Sequence, residues 1–347
     1  MKTDIVETID KLLEKTQRAH HHAYLDTDGF DLDWPIWYAD YLLDKLPPLL
    51  EADLTKSDLI YLLLLLEKKY AREAPNCHWS RFYANYLVEK YLYETMPGNM
   101  DVSTIGGDVP YLTTDQMIEV DRAMIETYEI KLIQMMENAG RNLAHLARGR
   151  FLDGDPRGKR VVVLAGTGGN GGGALVCARR LSNYGADVQV IVTKPGKKFT
   201  PVPAHQLNIL RRMSVPIAVA ESLREISFAN LDLVVDGIIG YSLKGSPRGA
   251  AAELIRWANA QDAPILALDA PSGVDTTSGT VFDPAIKAKA TMTLALPKEG
   301  LVATGVEAKV GELYLADISV PPQLYSEPAL ALNVGPIFAT GDIVRLV

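Results

Sequence analysis

A chain of 347 residues has room for two ordinary domains or one large one, and its 48% hydrophobic and 22% charged residues are those of a globular protein with an ample core. A net charge of −8 without any basic stripe speaks against nucleic-acid binding through phosphate neutralisation. Two cysteines, Cys77 and Cys177, are too few for a disulfide framework and read as free thiols of a reducing compartment. The mixed-charge N-terminus reads as neither signal nor transit peptide, and the longest apolar run, residues 59–66, is too short to span a bilayer. A cytoplasmic protein with no membrane partner is expected. The charge is unevenly shared: residues 1–100 hold 17 Asp+Glu against 11 Lys+Arg, the remainder 26 against 24, which suggests two modules.

Residues 1–95 read as helical. Ile5, Ile9, Leu12 and Leu13 follow a helical spacing, and Trp37, Tyr38, Tyr41, Leu42 and Leu46 carry a second segment that Pro47-Pro48 should end. Thr55, with Asp58 three residues on, caps a helix over 59–70, and 79–93 forms a last one. The expectation is a small all-α accessory domain. His20-His21-His22 with Asp26, Asp28, Asp31 and Asp33 could be a metal site. A polar helix end and a solvated acidic loop fit better, because the glycine and glutamate positions of a calcium loop are not filled. The tyrosines and tryptophans read as core and interface rather than as a base-stacking platform. Residues 96–109, dense in turn formers, read as a linker.

The remainder, 110–347, reads as an α/β domain. Thr113-Thr114-Asp115-Gln116 caps a helix reaching about Tyr128, and a second helix over 131–150 carries Met135, Met136, Ala139, Leu143 and Leu146 on one face. Strand-like runs follow at 161–165, 188–193, 217–220, 231–236, 265–269, 290–296 and 312–318, several of them separated by helical segments. That alternation predicts a doubly wound, mainly parallel, Rossmann-like sheet. Ligands of such sheets sit at the carboxyl ends of the strands, which makes Asn170, Asp236 and Asp269 site candidates.

Gly166-Thr167-Gly168-Gly169-Asn170-Gly171-Gly172-Gly173-Ala174 is the most telling stretch. Glycine lets a backbone approach a phosphate, and the helix that follows offers unpaired N–H groups. Gly166, Gly168 and Gly171 satisfy G-x-G-x-x-G, but the next strand ends in Thr193-Lys194-Pro195 rather than in the acidic residue of an NAD-binding unit; Lys194 would suit a 2′-phosphate. No Gly-Lys-Ser/Thr follows, so this is not a Walker A loop. A second loop begins at Asp236 and holds Lys244, which favours an anion. A third, Asp269-Ala270-Pro271-Ser272-Gly273-Val274-Asp275, flanks a hydroxyl with carboxylates and reads equally as a capped turn; Ser272 is not in a serine-hydrolase elbow.

In this order the three loops resemble the YjeF N-terminal domain, the NAD(P)H-hydrate epimerase family, over about residues 110–322. Met135-Met136-Glu137-Asn138-Ala139-Gly140-Arg141 is similar to the family's L-M-E-N-A-G segment, and the glycine loop to its G-P-G-N-N-G-G-D-G. Residues 236–245 resemble D-x-x-F-G-F-S-F-K-G, and 269–275 match D-I-P-S-G-x-D; Ala290-Thr291-Met292-Thr293, Pro297-Lys298 and Ala316-Asp317-Ile318 fit later segments. The resemblance implies an isomerase that interconverts the R and S forms of hydrated NADH and NADPH. It implies potassium held by Asn170, Asp236 and Ser272, with substrate contacts from Gly169, Asn170, Gly171, Gly172, Gly173, Gly240, Tyr241, Ser242, Leu243, Lys244, Gly245, Ser246 and Asp269. Asp269 is the implied acid/base, Lys244 the anion contact, and a homodimer the implied assembly. The helical domain lies outside the resemblance and is free to recruit a protein partner. Gly169, Gly173 and Ala174 depart from the family's asparagine, aspartate and glycine. They keep open a non-catalytic nucleotide-binding or dimerisation scaffold; a nicotinamide-dependent oxidoreductase ranks behind both.

Overall fold

The computed structural model describes residues 2–346 apart from 24–32, 51, 53, 74–76, 89, 92–101, 106–108 and 226–229. Two units result, Met1–Asn99 and Met100–Val347.

Local capping and apolar spacing build the first unit from α1 (Lys2–Ala23), α2 (Trp34–Leu42), α3 (Leu46–Leu49), α4 (Lys56–Glu73) and α5 (Trp79–Val88). Thr55 starts α4: its backbone N–H and hydroxyl both donate to Asp58 Oδ2, at 2.9 and 2.6 Å. Val6, Ile9 and Leu13 of α1 meet Leu59, Leu62, Leu63 and Leu66 of α4 and Tyr83 and Leu87 of α5 in one buried cluster. Pro47 and Pro48 do not terminate a helix as expected. They open the single turn of α3, where a missing N–H leaves no hydrogen bond unmade. His20, His21 and His22 form the last turn of α1, and the His20 ring stands edge-on to Trp37 and Tyr38. Asp26, Asp28 and Asp31 fall outside the described residues.

The second unit carries a nine-stranded sheet: β1 (Thr104–Ile105), β2 (Arg160–Ala165), β3 (Asp187–Val192), β4 (Ile217–Val219), β5 (Leu233–Gly237), β6 (Ile265–Leu268), β7 (Ala290–Leu294), β8 (Glu312–Ala316) and β9 (Ile343–Leu346). Its order is β1-β9-β8-β7-β6-β5-β2-β3-β4, parallel except where β9 runs against β8. The helices are α6 (Thr114–Glu126), α7 (Leu132–Phe151), α8 (Gly169–Asn183), α9 (Pro201–Arg212), α10 (Ala250–Asn259), α11 (Glu307–Val310) and α12 (Pro322–Tyr325). Alternate residues of β2 point to two different cores. Val161, Val163 and Ala165 join Leu143, Leu146, Leu175 and Ala178 of α7 and α8, while Val162 and Leu164 join Leu254, Ile255 and Ala258 of α10. Helices on both faces are why the strand reads as one unbroken apolar run.

The short β1 lies in the stretch read as linker, and β9 was not foreseen; two to four residues carry no usable period, and their pairing satisfies backbone groups at the sheet's end. From β2 the chain runs outward through β3 and β4, then returns to β5 on the other side of β2. The β2/β5 boundary is therefore the topological switch point, where a crevice opens beyond the strands' carboxyl ends.

Candidate functional site

Asp236 is the last residue but one of β5 and is completely buried. Its Oδ1 accepts from Ser272 Oγ at 2.7 Å and from the Ile238 N–H at 3.1 Å, and its Oδ2 from the Ser272 N–H at 2.8 Å. Burial pushes this carboxyl up to about 6, although the Ser272 and Ile238 donors pull the other way. The cation of the neighbouring loop, Lys298, is bound elsewhere (below). Asn170, in the first turn of α8, has a buried Nδ2 with no hydrogen-bond partner. Gly240 joins this corner to the next: a Cβ there would sit 3.0 Å from Asp269 Oδ2 and 3.1 Å from Asn170 Cγ. The fold thus draws Asn170, Asp236, Asp269 and Ser272 to one end of adjacent strands.

Asp269 follows β6 with φ +64°, a left-handed conformation that costs a residue with a Cβ and marks a constrained position. Its Oδ1 pairs with Lys298 Nζ at 2.6 Å, and its Oδ2 accepts the Tyr241 N–H at 3.1 Å. Lys298 is itself fully buried and also donates to Leu294 O at 2.8 Å and Thr293 Oγ1 at 3.1 Å. All three ammonium protons are therefore used, which is the condition for tolerating a charge away from water. The Tyr241 hydroxyl donates to Asp121 Oδ2 at 2.5 Å, so a fourth element, α6, enters the same site.

These groups face a cavity of about 150 Å³ whose polar wall is Asp121, Asn170, Tyr241, Ser242 and Asp269, closed by Met117, Met135 and Leu268 among others. A larger, more open cleft of about 490 Å³ adjoins it through Ser242 and is bordered by Thr167, Thr193, Lys194, Lys244 and Arg248. The loop expected to contact substrate is thereby divided. Gly240, Tyr241 and Ser242 line the inner cavity, and Ser242, Leu243, Lys244, Gly245 and Ser246 the outer cleft.

The glycine stretch behaves differently from its sequence reading. Helix α8 starts at Gly169, inside the glycine stretch rather than after it, so Gly169 to Gly173 form helical turns. Gly169, Asn170 and Gly173 line the inner cavity, whereas Gly171 and Gly172 line neither space. A Cβ on Gly171 would lie 2.0 Å from Gly166 O, and one on Gly172 2.4 Å from Met136 Sδ. Those two glycines permit close packing, which overrides their poor helix propensity.

Sequence reasoning missed Asp121 and gave Lys298 no role. For Asp121 a signal existed: Met117, Val120, Asp121 and Met124 follow the i, i+3, i+4, i+7 spacing of a core-facing stripe, and a carboxylate in such a stripe needs a reason. For Lys298 the signal was its place in the Pro297-Lys298 pair that fits the family, which says nothing of burial, since a buried lysine is spelled like an exposed one. In the helical unit, Asp10, Glu14 and His78 bring possible ligand atoms within 4.8 Å, but Asp10 is already taken by the Ser80 hydroxyl and by Arg81. Among the described residues no helix is long and apolar enough to cross a membrane.

Residues 132–300 match the family described as YjeF-related protein N-terminus. The NAD(P)H-hydrate epimerase of Dehalogenimonas lykanthroporepellens is 41% identical over 244 residues, covering 70% of this chain and 94% of that protein. The bifunctional NAD(P)H-hydrate repair enzyme Nnr of Salinibacter ruber is 34% identical over 225 residues, and the match spans 41% of its length. The crystal structure of yeast ynu0, YNL200c, superposes with a TM-score of 0.58 at 26% identity, over 69% of this chain and all of that one. With 94% of a relative covered at 41% identity and the same fold, this chain belongs to the family of YjeF-related protein N-termini.

Proposed function

We propose that the α/β unit is an NAD(P)H-hydrate epimerase, an isomerase of nicotinamide nucleotide repair that interconverts the R and S forms of hydrated NADH and NADPH. The observation that carries this reading is the inner cavity at the switch point, where Asp269, held by a buried lysine, stands beside the Asn170 turn and Tyr241. The relatives' names supply the substrate class. The hydrated ring enters the inner cavity, against Gly169, Asn170, Gly173, Gly240, Tyr241 and Asp269, and the phosphate-bearing remainder lies along the outer cleft beside Lys244. Inverting the hydroxyl-bearing carbon requires a bond to that carbon to break and re-form, with proton transfer by a positioned group. Asp269 is the acid/base in this reading.

The donor set suits a monovalent cation: one carboxylate, one hydroxyl and one amide, all oxygen-bearing, with a single negative charge. Asp236 is buried without a cation among its partners, and the Asn170 Nδ2 has no hydrogen bond to lose if the amide turns its oxygen toward an ion. Potassium bound by Asn170, Asp236 and Ser272 would supply a fixed positive charge beside an anionic substrate. Asp236 and Ser272 also orient the Ile238 and Ile239 backbone, whose N–H groups they accept at 3.1 and 2.9 Å, and so shape the entry to the 240–246 loop.

The test is to give purified protein a single epimer of hydrated NADPH, with and without potassium, and follow the R/S ratio by chromatography against an enzyme-free control. Acceleration that depends on potassium supports the reading. A folded protein that binds NADP⁺ without accelerating inversion would be the scaffold that Gly169 and Gly173 allow.

A further inference from the structure

The inner cavity holds two carboxylates, and only Asp269 belongs to the loops that the family resemblance singles out. Asp121 reaches it from α6, half-buried beside Met117 and Met135. Tyr241 touches both: its backbone N–H donates to Asp269 Oδ2 at 3.1 Å and its hydroxyl to Asp121 Oδ2 at 2.5 Å. The two acids are thus held at opposite ends of one tyrosine, facing one space. Their partners differ. Asp269 is paired with the Lys298 ammonium, whereas Asp121 has the neutral phenol.

The chemistry asks for two such groups. Water adds across the enamine double bond of a reduced nicotinamide so that the hydroxyl lands on the carbon next to the ring nitrogen. If an acid protonates that hydroxyl, the C–O bond breaks with its electron pair leaving on oxygen as water, and the nitrogen lone pair forms C=N⁺. Water then adds from the other face: its lone pair makes the new C–O bond, the C=N⁺ pair returns to nitrogen, and a base takes the proton. One water leaves and one enters, so no oxidant or other co-reactant is required. Inversion therefore needs an acid on one face and a base on the other.

We propose that Asp121 and Asp269 are the two halves of this acid–base pair, one on each face of the ring, exchanging roles between the R-to-S and S-to-R directions. The proposal rests on the epimerase reading above. Tyr241 is a positioning residue that spaces the two carboxylates, and Lys298 fixes Asp269. The surroundings of Asp121 suit a group that carries a proton: burial pushes its carboxyl above the ordinary range and the Asp269 charge adds to this, while the Tyr241 hydroxyl and Lys298 pull it down. Tyr325, on α12 against α6, is the other titratable group affected by its charge. Asp121 must carry the proton when it acts as the acid, so turnover in that direction falls as pH rises through the Asp121 titration.

The experiment is single-epimer turnover by the full chain in ¹⁸O-enriched water, for the wild type, Asp121→Asn and Asp121→Glu, each checked for folding and for NADP⁺ binding. In the wild type, each enzymatic inversion should bring in one solvent oxygen, in excess of the enzyme-free control. Asp121→Asn should lower turnover by ~100-fold or more with KM moved by less than about threefold, and its residual rate should lose the high-pH fall. Asp121→Glu should recover part of the rate. Inversion with the original oxygen retained would mean that a ring bond opens instead, and would overturn the proposal while leaving the epimerase intact. So would an Asp121→Asn enzyme at the wild-type rate. A wild type no faster than the control would remove both readings.

Discussion

The two units differ in what they bury. Among the described residues, the helical unit encloses leucine, isoleucine, valine, tyrosine and alanine, with Thr16 and Ser80 as its buried polar side chains. The α/β unit instead buries Asp236, Asp269, Ser272 and Lys298 at the carboxyl ends of its strands. Withdrawing charge from water is costly unless each group is paired, and such arrangements concentrate where chemistry is done. An apolar interior needs nothing beyond burial to explain it. The contrast agrees with placing the proposed reaction in the α/β unit.

Four measurements would break or sharpen that contrast. Lys298→Ala strands the buried Asp269 carboxylate and should cost roughly 3–5 kcal/mol in urea denaturation, with most of it recovered when Asp269→Asn is added. A cost below about 1 kcal/mol would mean that water replaces the lysine and that the site is not the closed, charge-balanced interior described above. Leu66→Ala, at the centre of the helical core, should cost about 2–5 kcal/mol by cavity formation. Epimerase turnover below the unfolding transition should be unchanged, and a parallel loss of activity would show that the helical unit takes part in the reaction. Replacing potassium by choline at constant ionic strength should slow turnover about tenfold, and Asp236→Asn should make the enzyme indifferent to the exchange. Equal rates in both salts would disconnect the Asp236 corner from catalysis. Thr113→Ala removes the side-chain cap of α6, where Thr113 Oγ1 accepts the Gln116 N–H at 3.2 Å. It should cost about 1 kcal/mol with turnover nearly unchanged, since Asp121 lies two turns into the helix.

Much of the fold was legible because its signals are local. The caps at Thr55 and Thr113 sit three residues from their partners Asp58 and Gln116, and both form. The seven strands β2 to β8 lie where apolar runs of strand length fall, several of them between helical segments. The strands β1 and β9, at one end of the sheet, were not legible, because two to four residues carry no period and acquire their structure only by pairing. The start of α8 was misplaced for a related reason. Glycine-rich sequence reads as loop, and only the contacts with Gly166 and Met136 show why glycine is needed inside a helix there.

The site divides the same way. Sequence alone singled out the candidate loops, since Asn170, Asp236, Asp269 and Ser272 stand beside strand ends and turn signals that any doubly wound sheet brings to one edge. It did not decide what those residues touch. Asp121 and Tyr241 are 120 residues apart, and Asp269 and Lys298 29 apart, yet they form one hydrogen-bonded group. Nothing within a helical turn or a strand encodes such a meeting. It follows from strand order, from the hydrogen bonds that tie Leu112 and Thr114, at the start of α6, to Pro297, Thr276 and Thr277 beyond β7 and β6, and from burial, which obliges every enclosed charge to find a partner.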